Sequence, residues 1–389
     1  MTYLSDLPTG MLFNAIKTNP DSLYFPWNIN GFKNQEVPRA AIIDELRRRP
    51  DGKEMLRALS GKSSPKISAI PEQKEVVTMR SYQSEKPRVV FVGNFSVPFS
   101  TESHHKWTWE QMGWEVTALQ ENQTSTDIIV AACQTAQLFQ YTHTHGWETG
   151  GTFSMDEALE KIRKMGVPSF SYHLDVYWGL NRLDQRENRI GKHASWKVDH
   201  FFSTDGAHEE EYKNRGVNHH WMPPAVVGYG CYKGESRPAL STDVAFIGSS
   251  TYHPEYPFRG RLIQALQSKY GDRFNVFTGM REKQLNDLYA SVKVVVGDHC
   301  FAGLPHYWSD RLPETCGRGG FIVYPETEGM TIPTATYKPQ NIDDLFEKID
   351  YYLEHEQERF EIQNKAFEYV REHDTYTQRL QEILNVVFS

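Results

Sequence analysis

The sequence predicts an α/β protein built from two successive parallel-sheet halves, with a helical appendage in front. Three observations carry that prediction. Short apolar runs alternate with helix-length segments from Arg88 onward. The alternation restarts at Asp243. Both halves also open alike: RVVFVGN (88–94) and DVAFIGSS (243–250) are each an apolar run closed by glycine and small polar residues. A continuous apolar run suits a strand buried on both faces, and strands alternating with helices imply right-handed crossovers and a parallel sheet. The result is two Rossmann-like halves facing across a cleft.

The elements follow in order. HHKWTWEQMGW (104–114) reads as a helix and EVTAL (115–119) as a strand. DIIVAACQTA (127–136) is helical, with Ile128, Ile129 and Ala132 on one side, and LFQYTH (138–143) is a strand. SMDEALEKIRKMG (154–166) is a helix opened by Ser154 with Glu157 three residues later, a capping box, and it stops at Gly166. PSFSYHLDVYW (168–178), HFFSTD (200–205) and HHWMPPAV (219–226) are strand-like. In the second half FRGRLIQALQSKYG (258–271) and EKQLNDLYASV (282–292) are helices, and FNVFTG (274–279), KVVVGDH (293–299) and GFIVYP (320–325) are strands. RLPETCGRGG (311–320) makes a short helix. IDDLFEKIDYYL (342–353) puts Ile342, Leu345, Phe346, Ile349 and Leu353 on one face, and QRLQEILNVVF (378–388) is a second amphipathic helix.

Ahead of these halves, RAAIIDELRRR (39–49) places Ile42, Ile43 and Leu46 on one helical face, and KEMLRALSG (53–61) adds another turn or two. SGKSSPKISAIPEQKE (60–75) reads as a linker. The chain thus divides into an appendage and linker (1–80), a first Rossmann-like half (86–230), a second (240–365) and a final helix (366–389) packing back on the first.

Composition narrows the function. With 389 residues and 42 basic against 50 acidic side chains, the formal net charge is −8. A broad basic face for nucleic acid or an anionic membrane is disfavoured. No apolar run approaches membrane-spanning length, and the N-terminus lacks a cationic stretch before an apolar block, so no membrane span and no secretory signal are expected. Cys133, Cys231, Cys300 and Cys316 lie far apart, which favours a reducing, cytoplasmic setting.

Ligands of doubly wound sheets bind beyond the carboxyl ends of the strands. The loop Gly248-Ser249-Ser250-Thr251 follows a strand and precedes a helix, so its amides either hold a phosphate or form a plain turn. Arg259 and Arg261 start the next helix. Arg311 and Glu314 stand one helical turn apart behind Ser309, which would cap their helix. Together they either meet a diphosphate and a ribose or form a surface ion pair. In the first half Glu102, His104, His105, His143, His145 and Asp175 lie at strand ends. A His or Asp there would be a base for an acceptor hydroxyl, or a plain hydrogen-bonded loop residue. Trp107, Trp109, Trp147, Tyr177 and Trp178 either stack on sugars or pack the core. No Asp-x-Asp is present, and adjacent His219 and His220 would face opposite ways on a strand, so no metal is predicted.

The second half resembles the nucleotide-sugar-binding domain of GT-B glycosyltransferases, specifically the spore-maturation-protein-like members of the glycosyl transferases group 1 type. VAFIGSS, the helix with Arg261, FNVFTG, LNDLYASVKVVV, SDRLPETCGRGGFIV, IDDLFEKIDYYLEHEQERFEI and REHDTYTQRLQEIL carry the resemblance. The first half fits through VVFVGN, the TGG of 149–151, YHLDVYW and VDHFFSTDG. The resemblance implies a hexosyltransferase that moves a hexose from a UDP-sugar to an acceptor hydroxyl. It implies donor contacts at Gly248, Ser249, Ser250, Arg261, Gly279, Ser309, Asp310, Arg311 and Glu314. Glu314 would hold the ribose, Arg311 and Arg261 the diphosphate, and the loop after Gly279 the base. The acceptor would meet Asn94, His104, His143 and Trp178, with Asp175, His145 and Glu102 as catalytic candidates. No cofactor beyond the nucleotide sugar is implied. One departure stands out: many retaining relatives carry a Glu-x7-Glu pair, and His306 occupies the first position here. A nucleotide-sugar epimerase and a catalytically silent nucleotide-sugar-binding scaffold are the alternatives. The acceptor could be a glycan, a protein, a small molecule or a hydroxylated DNA base, the last disfavoured by net charge.

Overall fold

The structure, a computed structural model, describes residues 22–24, 36–48, 86–142, 154–176, 190–192, 194–249 and 256–389. It divides into two compact units, Met1–Tyr82 and Gln83–Ser389. In the first unit β1 (Ser22–Tyr24) pairs antiparallel with β2 (Glu36–Pro38), and α1 (Arg39–Arg48) follows directly. The helix was legible in the sequence, whereas the three-residue strands were not. Ile42 and Leu46 are fully buried and Ile43 partly so. The second turn at 53–61 and the linker at 60–75 lie outside the described residues.

The second unit holds two wholly parallel sheets. The first contains β3 (Arg88–Gly93), β4 (Glu115–Gln120), β5 (Leu138–Tyr141), β6 (Ser169–His173), β7 (His200–Ser203) and β8 (His219–Trp221), ordered β4-β3-β5-β6-β7-β8. Its helices are α2 (Thr101–Gln111), α3 (Thr126–Cys133), α4 (Met155–Lys164) and α5 (Glu209–Asn214). Ser154 caps α4 as expected, accepting the Glu157 amide at 3.2 Å. The face of α3 is rotated from the expected one: Ile129 and Cys133 are buried while Ile128 is exposed. Positions 129 and 133 are one turn apart, and that pair rather than 128 and 132 meets the sheet.

The second sheet contains β9 (Thr242–Ile247), β10 (Phe274–Phe277), β11 (Val292–Val296), β12 (Ile322–Pro325) and β13 (Ala335–Tyr337), ordered β10-β9-β11-β12-β13. Its helices are α6 (Phe258–Tyr270), α7 (Glu282–Ser291), α8 (Arg311–Gly317), α9 (Ile342–Glu354) and α10 (Glu356–His373). Leu345 and Ile349 of α9 are fully buried, with Ile342, Phe346 and Leu353 against the same core.

In each sheet the strand order reverses beside the first strand, so the loops after β3 and β9 sit at topological switch points. The chain crosses between the lobes twice. Met222–Ser241 leads outward, and the turn at Asp374–Tyr376 returns into α11 (Tyr376–Val387). The crossings are joined by a parallel bridge between Val226 and Thr375, with Val226 N to Asp374 O at 3.0 Å and Tyr376 N to Val226 O at 3.0 Å. Buried Arg379 pairs with Asp374 and donates to the Pro223 carbonyl at 3.0 Å. Tyr376, Leu380 and Ile383 then pack with Trp109, Leu138, Phe170 and Tyr172 of the first lobe.

Leu380→Ala is expected to cost about 2–5 kcal/mol through lost burial and a cavity. Gln381→Ala on the exposed face should stay within about 0.5 kcal/mol. Urea unfolding midpoints at fixed m-value check both.

Candidate functional site

A cavity of about 290 Å³ opens between the carboxyl edges of the two sheets. The first lobe contributes Phe99 from the loop after β3, and Thr101 and His104 from α2. The second contributes Gly248 after β9, Gly279–Glu282 after β10, and Asp310, Arg311, Glu314 and Arg318 along α8. Tyr229 and Tyr376 come from the two crossings. Both switch-point loops therefore open onto one space, the position that doubly wound sheets favour for ligands.

Backbone carbonyls fix Arg311. Its Nε donates to Ile247 O at 3.1 Å and its Nη1 to Asp298 O at 2.5 Å, and the guanidinium lies 4.9 Å from the Phe246 ring centre. Gly248 has φ 136°, and a Cβ there would stand 2.8 Å from Arg311 Nη2, so glycine is required by conformation and by space. Below this, the fully buried Asp298 carboxylate accepts Tyr256 OH at 2.7 Å and Arg259 Nε at 2.9 Å. Arg259 is thus committed to the interior.

Glu314 pairs with Arg318 rather than with Arg311. The Glu314 Oε2 to Arg318 Nε distance is 2.5 Å, and Arg318 Nη1 reaches Asn286 Oδ1 at 2.5 Å. The i,i+3 pair of the sequence reading gives way to an i,i+4 pair, because Arg311 turns back toward β9 and β11. Across the cleft, Arg281 lies 4.5 Å from the Phe99 ring centre, a cation–π contact between the lobes.

Electrostatics set the protonation states. Burial, with the charges of Arg318 and Arg281, lowers the His104 pKa to about 4, opposed by Asp310. Its imidazole is neutral near pH 7. Desolvation raises the Asp310 carboxyl, with Glu314 and Asp175 adding to the rise and Arg311 opposing it, although Asp310 keeps surface open to the cleft. Asp175, just beyond β6, thus acts electrostatically on the head of α8.

The structure brings six predicted residues to the cavity: His104, Gly248, Gly279, Asp310, Arg311 and Glu314. Ser249 follows Gly248, and its carbonyl accepts Arg259 Nη1 at 3.5 Å. His143, His145, Trp178 and Ser250 lie outside the described residues, as do Trp147, Tyr177 and the TGG of 149–151. Four expectations need correction. Arg261 is exposed on α6, 5.7 Å from the Phe258 ring centre, and does not line the cavity. Ser309 does not cap α8: its amide and hydroxyl meet Tyr324 OH at 2.9 and 3.1 Å, and Asp310 takes the N-cap position without a side-chain cap. Glu102 belongs to the first turn of α2 rather than to a strand end, and its side chain is buried beneath Gly93. Asn94 organises the loop after β3, its Oδ1 accepting the Ser96 amide at 3.2 Å and Gln120 Nε2 at 3.3 Å. Trp109 is core, donating to Gln140 at 2.8 Å. His219 and His220 do face opposite ways, toward Tyr212 and Phe202. Among the described residues no three His, Cys, Asp or Glu side chains form a group that could hold a metal ion, and no helix is long and apolar enough to cross a membrane.

Sequence reasoning missed Arg318, Arg281, Tyr229 and Asn286. Arg318 stands four residues after Glu314, a spacing that signals pairing on a helix. Nothing local marks Tyr229, which reaches the site only through the crossing.

Three further buried imidazoles share the fate of His104. Burial lowers His105, His219 and His299 to about 3, all far below 6.5. The unfolded chain binds protons that the folded one refuses between pH 6.5 and those values. Stability is therefore retained above about pH 6.5 and falls as pH drops below it, by up to about 1.4 kcal/mol per pH unit for each such histidine. Urea unfolding at pH 7 and pH 5 should show the fall, and His105→Gln should show a smaller one.

Comparisons with known proteins agree with this geometry. Residues 259–385 match the family model described as "Glycosyl transferase-like". No curated protein matches the chain. The Anabaena protein Alr3699/HepE, solved with UDP and glucose, aligns with TM-score 0.54 at 12% identity, over 77% of this chain and 99% of that one. The same protein with UDP-glucose gives 0.53 at 11% identity, over 77% and 99%. At such identity the likeness speaks for the fold, and the family match for the class of the second lobe. The chain thus carries a glycosyl transferase-like domain at residues 259–385, set in a two-lobed frame of parallel sheets with the GT-B fold.

Proposed function

We propose that the protein transfers a hexose from a UDP-sugar to an acceptor hydroxyl inside the interlobe cavity. The observation that carries this reading is the convergence of Arg281, Arg311 and Arg318 with Glu314 at the switch points of both sheets. The complexes of HepE with UDP and with UDP-glucose support the choice of nucleotide. Glu314 accepts ribose hydroxyls, and the segment from Gly279 receives the base. Arg311, held by two carbonyls, faces the diphosphate with Arg281. Arg281 takes the part expected of Arg261. Forked guanidinium donors suit phosphate oxygens, and fixed charges there stabilise the leaving diphosphate without reorganising. The wide separation of Cys133, Cys231, Cys300 and Cys316 in the sequence supports a reducing, cytoplasmic setting.

In the transfer, the acceptor oxygen bonds to the anomeric carbon while the bond to the diphosphate breaks, and the diphosphate leaves with that electron pair. The hydroxyl proton goes to neutral His104. Burial, with the charges of two guanidiniums added, holds this imidazole at about 4. A bound diphosphate offsets their charge, so the pKa of His104 rises when the donor arrives and the ring becomes a better base. Asp175, whose charge acts on Asp310 at the head of α8, orients the acceptor. A net charge of −8 favours a neutral acceptor over a polyanion.

Glu314→Gln should weaken UDP binding by tenfold or more in calorimetry while keeping a cooperative unfolding transition. Unchanged affinity removes the donor assignment. His104→Gln should lower kcat by about 10²–10⁴ with UDP affinity within a few-fold of the parent. Asp175→Asn should reduce transfer more than donor binding, and equal rates would remove it. Mass spectrometry of reactions with pooled nucleotide sugars and acceptors supplies the assay.

A further inference from the structure

We infer that Arg318 is a positioning residue that ties the donor carboxylate to the outward crossing between the lobes. The inference rests on the reading of Glu314 as the ribose contact. Arg318 is almost wholly buried, and it bonds Glu314 Oε2 through Nε and Asn286 Oδ1 through Nη1, each at 2.5 Å. Buried Asn286 turns its amide to the crossing, with Nδ2 donating to Gly230 O at 2.9 Å and to Tyr232 O at 2.6 Å. The crossing is shaped to receive the guanidinium. A Cβ on Gly230 would lie 2.6 Å from Arg318 Nη2 and 2.8 Å from Cζ. The backbone of Gly230 needs no left-handed φ, so its glycine answers to the close approach alone.

Glu314, Arg318, Asn286 and Gly230 therefore form one continuous strap from the cavity to the crossing. Only Glu314 Oε2 takes a hydrogen bond among the described residues, which leaves Oε1 to meet a donor hydroxyl. A planar fork is needed, because a lysine keeps the charge but cannot bond Glu314 and Asn286 together in the same geometry. Burying the Arg318 charge is favourable only while both partners are in place.

The test is a double-mutant cycle on UDP affinity, read by calorimetry on the full chain. Arg318→Lys and Asn286→Ala should each weaken UDP binding about tenfold, and the double variant no more than the worse single, because both cut one strap. A merely structural role would lower unfolding midpoints additively and leave affinity unmoved. Gly230→Ala, which displaces the guanidinium without altering α8 or α7, should reproduce the affinity loss and decides the matter if Arg318→Lys does not fold. Wild-type affinity in Arg318→Lys, Asn286→Ala and Gly230→Ala, with loss only in Glu314→Gln, overturns the strap and leaves the donor reading standing. Wild-type affinity in Glu314→Gln overturns the donor reading, and the strap with it.

Discussion

The parallel bridge between Val226 and Thr375 is the contact on which the molecule's arrangement depends. Two lobes joined by a single strand of chain would be free to drift. Here the outward and returning segments are laced by two backbone hydrogen bonds, and the lacing is buried. Arg379 locks it through Asp374 and Pro223 O. Removing either charge of such a pair would strand the other in the interior, so the pair specifies one geometry more than it adds stability. α8 leans on the same place: a Cβ on Gly317 would stand 2.7 Å from Val226 Cγ1. The helix that carries Arg311 and Glu314 is therefore registered against the crossing as closely as against its own sheet.

That registration explains how opposite charges share a small cavity. Arg311 is held by carbonyls, Arg318 by Glu314 and Asn286, and Arg281 by the ring of Phe99. Fixed charges in a partly desolvated cleft act more strongly on a charged ligand than mobile surface groups do. Burial keeps His104 unprotonated, and the charges of Arg318 and Arg281 add to that effect.

Much of this was legible in the sequence. β3 and β9 announce themselves as apolar runs ending in glycine, and both mark switch points. The Arg311–Glu314 spacing picked out a helix that lines the cavity. The illegible parts share one cause: they depend on residues far apart in the chain. β1, β2 and β13 are three residues each, too short for a period to show. The face of α3 is chosen by the sheet beneath it, not by local pattern. Ser309 looks like a cap, yet the hydroxyl of Tyr324, fifteen residues on, claims it. Arg261 follows the Gly248 loop in the chain but is exposed on α6. Arg318 becomes meaningful only once Gly230 and Asn286 are seen beside it.

The packing of α11 on the first sheet has a consequence for biogenesis. The N-terminal lobe is sewn shut by residues near the opposite end of the polypeptide. While the ribosome is still working, the sheet bearing Phe170 and Tyr172 lacks its cover of Tyr376, Leu380 and Ile383. Until α11 is made, the nascent first lobe carries an uncovered apolar face, the kind of surface that invites misassociation.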